Sequence, residues 1–147
     1  MDNIASMIPY LEQAKENINI VNRIYLECLR IDINLGFIGY KDYINYANYI
    51  NIEFTQNYET LKNSLNSIKM TTNTDYPEDL EGRIELAFIN NWKNNARFSI
   101  IIADAPCHGT KYHNMKDNYP NGNPYRKNIE ILIKEFAEKK FLYFVFN

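Results

Sequence analysis

The chain has 147 residues, 46% of them hydrophobic and 23% charged, which is typical of a single globular domain spanning 1–147 with its own core. A formal net charge of −2 gives no electrostatic basis for binding nucleic acid or an anionic membrane, and no apolar run approaches the roughly 20 residues of a membrane-spanning helix. The two cysteines do not make a disulfide framework, so we expect a cytoplasmic, reducing location.

The first predicted helix covers residues 8–29, where apolar side chains recur at spacings of three and four. Ser6 is its expected N-cap, and Pro9 suits its first turn. Residues 33–40 and 50–54 follow as two predicted strands. The second of these is expected to lie at a sheet edge.

The rest of the chain continues to alternate between helices and strands. A short second helix is predicted from the spacing of Tyr58, Leu61, Leu65 and Ile68. A polar loop then leads to a third helix whose first turn is residues 77–79. The remaining predicted elements are a strand at 98–104, a long polar loop at 105–126, a fourth helix that buries Ile129, Leu132, Ile133 and Phe136, and a strand at 141–146.

This alternation predicts an α/β fold of three layers, with a mainly parallel central sheet and helices on both faces. The continuous apolar runs of the last two strands suit burial on both faces. Ligands of such sheets bind at the carboxyl ends of the strands. Asp104, which follows a buried-looking strand, is therefore a candidate ligand-binding residue.

Several side-chain oxygens are expected near Asp104. Asp2 and Ser6 lie in the turn that enters the first helix, and Thr74 and Asp75 lie in the loop that enters the third. In a parallel sheet both turns lie at the same edge as Asp104. Carboxylate and hydroxyl oxygens of this kind suit Mg²⁺, or else Mn²⁺ or Ca²⁺.

Four segments carry a resemblance to a known family. They are MDNIASMIPYLEQAK (1–15), GFIGYKDYINYANYINIEFT (36–55), NTDYPEDLEGRIELAFINNW (73–92) and a segment that begins IIIADAPCHGTKYH at residue 100. The first resembles the opening of the metal-ion-dependent adhesion site of von Willebrand factor A domains. The other three resemble the subgroup of these domains that is related to the vwkA-type alpha-kinases, and together they span nearly the whole chain.

The resemblance implies a Rossmann-like von Willebrand factor A fold and a non-catalytic role in protein interaction. The implied metal ligands are Asp2, Ser6, Thr74 and Asp104, with Asp75 as the alternative in the middle loop. A protein partner would present an acidic side chain to the metal. The middle position of the opening motif is Ile4, which has no side-chain oxygen, so the implied site is partly degenerate.

Two further functional alternatives follow from departures from the family pattern. The family has an apolar strand before the first aspartate and further elements after residue 147, so we expect this chain to be truncated at both ends. It is then an accessory or remnant domain of an alpha-type serine/threonine kinase, or a metal-free fragment without independent function. No glycine-rich phosphate loop with a lysine is present in the sequence.

Other residues allow both a chemical and a structural interpretation. Cys107 and His108 could form a nucleophile and base, or a zinc site with His113, but structural packing of the loop is the simpler interpretation. Asp104 could cap a loop amide instead of binding metal. The carboxylates of residues 78–79 are explained by a helix N-terminus. The tyrosines at positions 40, 43, 46 and 49 form either a binding surface or ordinary packing.

Overall fold

The computed structural model describes residues 7–27, 31–43, 50–69 and 75–139, together with the backbone of 142–146. Within these residues the chain forms a mixed α/β structure, as the sequence predicts. Its helices are α1 (Ile8–Glu27), α2 (Tyr58–Asn66), α3 (Leu80–Ile89) and α4 (Ile129–Glu138). Its strands are β1 (Leu35–Gly39), β2 (Ile50–Thr55), β3 (Phe98–Ile102) and β4 (Leu142–Phe146).

The strands form two small sheets. β1 and β2 pair antiparallel, with Ile38 opposite Asn51 and an irregularity between Leu35 and Phe37. β3 and β4 pair parallel, with Ile100 opposite Phe144, and α4 connects them. The described residues therefore do not show a single, mainly parallel sheet covered by helices on both faces.

The antiparallel pair differs from the mainly parallel sheet that the alternation of helices and strands predicts. Only residues 40–49 connect the two strands. A parallel crossover needs about a dozen residues or more, usually with a helix, whereas an antiparallel hairpin closes easily over ten.

One core cluster lies between α3, α4 and the loop after β3. It contains Ile84, Cys107, Ile129 and Phe136, and the partly buried Trp92 packs against it. The Trp92 indole N–H donates to the Ala87 carbonyl at 2.7 Å, which fixes the chain after α3. The predicted inward face of the fourth helix is confirmed, since Leu132 and Ile133 also pack here.

A second core cluster joins α1 and α2 to the β1–β2 hairpin through Leu11, Leu61 and Leu65. Leu11 is the only fully buried residue of α1, whereas Ile8 and Ile24 are 47% and 42% exposed. The long apolar stripe predicted for this helix is therefore covered over only part of its length. No helix in the described residues has the length and hydrophobicity needed to cross a bilayer.

β3 also differs from its prediction. Phe98 and Ile100 are 59% and 60% exposed, whereas Ile101 packs against the core between them. Alternate side chains of a strand point to opposite faces, so one face of β3 is covered and the other is open among the described residues. Burial on both faces, which the apolar run predicts, is not shown for this strand.

Candidate functional site

The carboxyl ends of β1 and β3 bring together a buried histidine and two aspartates. His108 lies in the loop after β3 and is fully buried. Its Nδ1 lies 2.6 Å from Asp117 Oδ1, and its Nε2 lies 2.8 Å from Asp42 Oδ1. Both carboxylate side chains are also buried, with exposures of 1% for Asp117 and 2% for Asp42.

The hydrogen bonds of His108, Asp42 and Asp117, called the trio below, favour a charged ring. An ionised carboxylate only accepts hydrogen bonds, so two carboxylates that face both ring nitrogens favour the imidazolium, in which both nitrogens donate. Burial lowers the pKa of His108, but the hydrogen bonds and negative charges of Asp42 and Asp117 outweigh burial, and the pKa lies above its usual value. The imidazolium is thus held between two carboxylates.

Asp117 also organises the loop that carries His108. Its Oδ2 accepts the Gly109 N–H at 2.7 Å, and its Oδ1 accepts the Tyr119 N–H at 2.7 Å. Burial raises the pKa of Asp117, but the hydrogen bonds from His108 and these two amides outweigh it, and the pKa lies below its usual value. Gly109 has φ +112°, a conformation that favours glycine, and this lets the chain reverse directly after His108.

Aromatic rings enclose the trio. Tyr43 follows Asp42, and its ring lies 5.1 Å from the His108 ring between centroids. Tyr119 packs edge-on against both rings at 5.0 Å. Asn123 donates to the Tyr43 hydroxyl at 2.7 Å, which ties the far end of the loop to β1. Tyr40 and Tyr43 are thus packing residues, whereas positions 46 and 49 lie outside the described residues.

Two more side chains border this trio. Asp75, His108 and Asp117 each offer a ligand atom within 4.8 Å of the other two. Asp75 Oδ2 accepts the Asn118 N–H at 2.9 Å, and Asp75 Oδ1 is buried without a hydrogen-bond partner in the described part of the chain. His113, whose side chain is 4% exposed, places Nε2 3.2 Å from Asp117 Oδ2.

The predicted metal ligands are only partly described. Asp2, Ser6 and Thr74 lie outside the described residues, as does Ile4. Asp104 follows β3, as predicted, and its Oδ1 is buried without a hydrogen-bond partner within the described ranges. The Tyr76 hydroxyl donates to the Asp104 carbonyl, so the segment at residues 75–76 contacts the end of β3.

The interpretation of Cys107 and His108 as a nucleophile and base does not fit this geometry. Both ring nitrogens of His108 face carboxylates, so neither is placed to accept a proton from the thiol. Burial, with the charges of Glu81 and Asp117, raises the pKa of Cys107 to about 12. The thiol therefore stays protonated and packs in the core. The zinc set of Cys107, His108 and His113 is not the group that the described residues bring together, which is Asp75, His108 and Asp117.

The start of α3 lies beside the trio and differs from its prediction. Asp79 is the N-cap, because its side chain accepts the Gly82 N–H at 2.8 Å, so residues 77–79 precede the helix. Gly82 suits this position because a Cβ there would lie 2.3 Å from Asp79 Oδ2, and the capping carboxylate would have to shift. Asp79 also pairs with Arg83 at 3.0 Å. The backbones of Glu78 and Cys107 form an isolated parallel β-bridge, which joins this segment to the loop after β3.

Glu81, in the first turn of α3, gives the structure a pH-dependent element. It is 1% exposed, and its Oε2 has no hydrogen-bond partner among the residues described. Burial and the charge of Asp79 raise the pKa of Glu81 to about 7, against the opposing effects of His108 and Asn123. The folded protein therefore holds a proton that the unfolded chain releases near its ordinary value of 4.5.

We expect stability to fall as the pH rises from about 5 to 8. The contribution of Glu81 is fully present below the unfolded pKa and is lost as the pH passes the folded pKa of about 7. At about 1.4 kcal/mol per pKa unit, the loss is on the order of 2–3 kcal/mol. Urea unfolding across this range measures it. Glu81→Gln, which mimics the protonated acid, should remove the part of this fall that Glu81 contributes. The remainder comes from His108, whose raised pKa acts in the same direction as the pH rises above 6.5.

Glu130→Gln is the matched control, because Glu130 also lies in a first helical turn but is exposed. That variant should keep the pH dependence of the parent chain. If the free energy of unfolding of Glu81→Gln changed with pH as it does in the parent chain, Glu81 would not be responsible for this pH dependence.

The chain was compared with known proteins. It is 33% identical to Alpha-protein kinase vwkA of Dictyostelium discoideum over 147 residues, which is 98% of this chain. The chain is related to vwkA. It spans only 24% of the length of that kinase, and no family model matches it. The expected relation to vwkA is thus confirmed, whereas membership of the von Willebrand factor A family stays a prediction.

Sequence reasoning missed Asp42 and Asp117 as site residues. Asp42 stands just beyond β1, as Asp104 stands just beyond β3, so the strand-end rule that selected Asp104 also selects Asp42. Asp117 lies in a segment rich in Asn, Pro and Gly, a composition that predicts turns. No spacing pattern in the sequence predicts its contact with His108.

Proposed function

We propose that the chain is a non-catalytic protein-interaction domain of the von Willebrand factor A type, in which Asp104 helps to hold a divalent cation such as Mg²⁺. A protein partner would complete the coordination with an acidic side chain. Asp2, Ser6 and Thr74 are the other proposed ligands.

The observation that supports this proposal is the buried Asp104 Oδ1, which has no hydrogen-bond partner in the described part of the chain. A buried carboxylate oxygen without a partner is costly, and a bound cation removes that cost. Its position just after β3 is where ligands bind in α/β proteins. The parallel β3–α4–β4 unit is consistent with a larger parallel sheet of the Rossmann-like type.

The relation to vwkA favours a second candidate within the same proposal. In this candidate the domain is an accessory part of an alpha-kinase-type protein, and catalysis belongs to a separate domain. The geometry of Cys107 and His108 supports an absence of nucleophilic catalysis at that pair.

Thermal unfolding with Mg²⁺ or Mn²⁺ tests the metal site. A cation at 100 times its dissociation constant should stabilise the chain by about 2.7 kcal/mol. Asp104→Asn, which preserves shape but removes the charge, should abolish this stabilisation. Equal stabilisation of the variant, or none in the parent chain, would count against the proposal.

Selection of displayed peptides tests the interaction. Peptides retained in Mg²⁺ and released by EDTA should be enriched in Asp and Glu, and Asp104→Asn should retain none of them. Peptides that stay bound in EDTA, or that bind the variant equally, would refute a metal-bridged contact.

A further inference from the structure

The surroundings of His108 carry more negative charge than the histidine neutralises. The carboxylates of Asp42, Asp75 and Asp117 all lie around it, and in the described part of the chain none of the three pairs with a lysine or arginine. Even an imidazolium at His108 leaves two negative charges in a largely buried cluster. Buried charges in proteins are normally paired or bound to a metal.

The hydrogen bonds of this cluster also indicate that a positively charged group is missing. Asp42 Oδ2 and Asp75 Oδ1 are buried and have no hydrogen-bond partner among the described residues. His113 Nε2 faces the same cluster, 3.2 Å from Asp117 Oδ2. Buried carboxylate oxygens without a hydrogen-bond partner are uncommon in proteins, so those of Asp42 and Asp75 point to a group that is missing from this cluster.

We propose that Asp75, His108 and Asp117 bind a divalent transition-metal ion, best matched by Zn²⁺. Asp75, the alternative ligand for the site at Asp104, is thereby assigned to the His108 cluster, so this site shares no ligand with the one proposed at Asp104 and does not depend on it. Their ligand atoms lie within 4.8 Å of one another, which is close enough for one ion to reach all three after small side-chain movements.

Binding exchanges a proton for the metal. His108 Nδ1 now donates to Asp117 Oδ1 across 2.6 Å. The ion takes the place of that proton, which leaves to solvent, and Nδ1 and Oδ1 become its ligands. Zinc–ligand bonds of about 2.0–2.2 Å at tetrahedral angles require ligand atoms about 3.3 Å apart, so this gap must open.

A second layer of hydrogen bonds is already in place to hold the ligands. His108 Nε2 donates to Asp42, which fixes the tautomer that leaves Nδ1 free for the ion. Asp117 keeps its amide donors from Gly109 and Tyr119. His113 Nδ1 accepts the Met115 N–H, which leaves the proton on Nε2, facing Asp117.

Ligand chemistry decides which ion fits. Imidazole nitrogen suits Zn²⁺ and similar transition metals, whereas Mg²⁺ prefers oxygen alone. Burial also matters, since Mg²⁺ usually keeps several water molecules. In the described part of the chain, Cys107 does not belong to the group of ligand atoms that one ion could reach. We therefore expect Zn²⁺ to bind much more tightly than Mg²⁺.

The ion would act as a clamp between separate segments. Asp75 precedes α3, and His108 and Asp117 belong to the loop after β3. Asp42, behind His108, follows β1. One ion thus ties the loop at 105–126 to the entry of α3, and through Asp42 to the first hairpin.

Equilibrium dialysis against buffered Zn²⁺ is the first test, with Asp75→Asn as the variant and Asp104→Asn as the matched control. The parent chain should bind one ion. Asp75→Asn should weaken binding at least tenfold, and Asp104→Asn should leave it unchanged. Co²⁺ bound in place of Zn²⁺ should show the absorption spectrum of a low-coordinate site with nitrogen ligation.

A second measurement needs no variant, because the chain contains only two histidines and both lie in this cluster. In ¹⁵N NMR of the parent chain, Zn²⁺ should shift the Nδ1 signal of His108, and Mg²⁺ at the same concentration should not. No histidine shift with Zn²⁺, an equal shift with Mg²⁺, or unchanged Zn²⁺ affinity in Asp75→Asn would each overturn the proposal. None of these outcomes bears on Mg²⁺ binding at Asp104.

Discussion

Replacing His108 with alanine should lower the free energy of unfolding by about 3–5 kcal/mol, measured by urea unfolding in EDTA so that no metal contributes. The reason is charge rather than volume. The Asp42 and Asp117 side chains are 2% and 1% exposed, and His108 is the cation that hydrogen-bonds to both. Without it, two buried carboxylates lose the cation that lies between them and keep only backbone amide donors and the contact of Asp117 with His113.

His113→Ala is the control for this prediction. His113 lies in the same loop and is similarly buried, but among the described residues it contacts one carboxylate, that of Asp117 at 3.2 Å, instead of two. Its loss should cost about 1–2 kcal/mol. A cost for His108→Ala that is no larger than this would show that the trio is not the electrostatic centre of the loop.

A double variant separates charge from packing. Adding Asp42→Asn to His108→Ala removes one of the two buried negative charges and should restore part of the lost stability. The reason is that substitutions of residues in contact do not have additive effects on the free energy of unfolding. A further loss equal to that of Asp42→Asn alone would mean that the two side chains do not interact.

The helices were largely predictable from local patterns. The fourth is the clearest case, since Ile129 and Phe136 are buried and Asn128 caps the first turn by accepting the amides of Glu130 and Ile131. Such signals lie within a few residues of one another and depend on backbone geometry alone. The start of α3 was placed too early because Asp79 resembles a first-turn acid but acts as the N-cap.

Strand pairing was harder to predict because it depends on the connections. An alternation of helices and strands favours a parallel sheet, yet residues 40–49 between β1 and β2 allow a hairpin. The length of that segment was visible in the sequence and was the better guide. The open face of β3 at Phe98 and Ile100 could not be read from an apolar run.

The candidate site shows the same limit. Asp104 was placed correctly at a strand end by sequence position alone. The pairing of His108 with Asp42 joins residues 66 positions apart, and it depends on how the loop after β3 folds back onto β1. Contacts between residues so far apart in the chain produce no periodic pattern, so they cannot be predicted from a single sequence. The residues involved nevertheless fall within the motifs that carry the family resemblance, YKDY at 40–43 and DAPCHG at 104–109.

The second large effect is expected for Asp79→Ala, which should lower the free energy of unfolding by about 3 kcal/mol in urea unfolding. Asp79 accepts the Gly82 N–H as N-cap, which accounts for about 1 kcal/mol. It also pairs with Arg83 at 3.0 Å, with side-chain exposures of 3% and 10%. Removing one partner of a buried pair leaves the other charge poorly compensated. Asn128→Ala, an exposed N-cap, should cost only about 1 kcal/mol.

The buried pair at Asp79 need not be stabilising in itself. Burial raises the pKa of Asp79 above its usual value despite the Gly82 amide and the Arg83 charge, so desolvation outweighs the attraction. Replacing both partners, as Asp79→Asn with Arg83→Met, keeps the cap and removes both charges, and should be nearly neutral. A double variant as unstable as Asp79→Ala would instead make the ion pair a net contributor to stability.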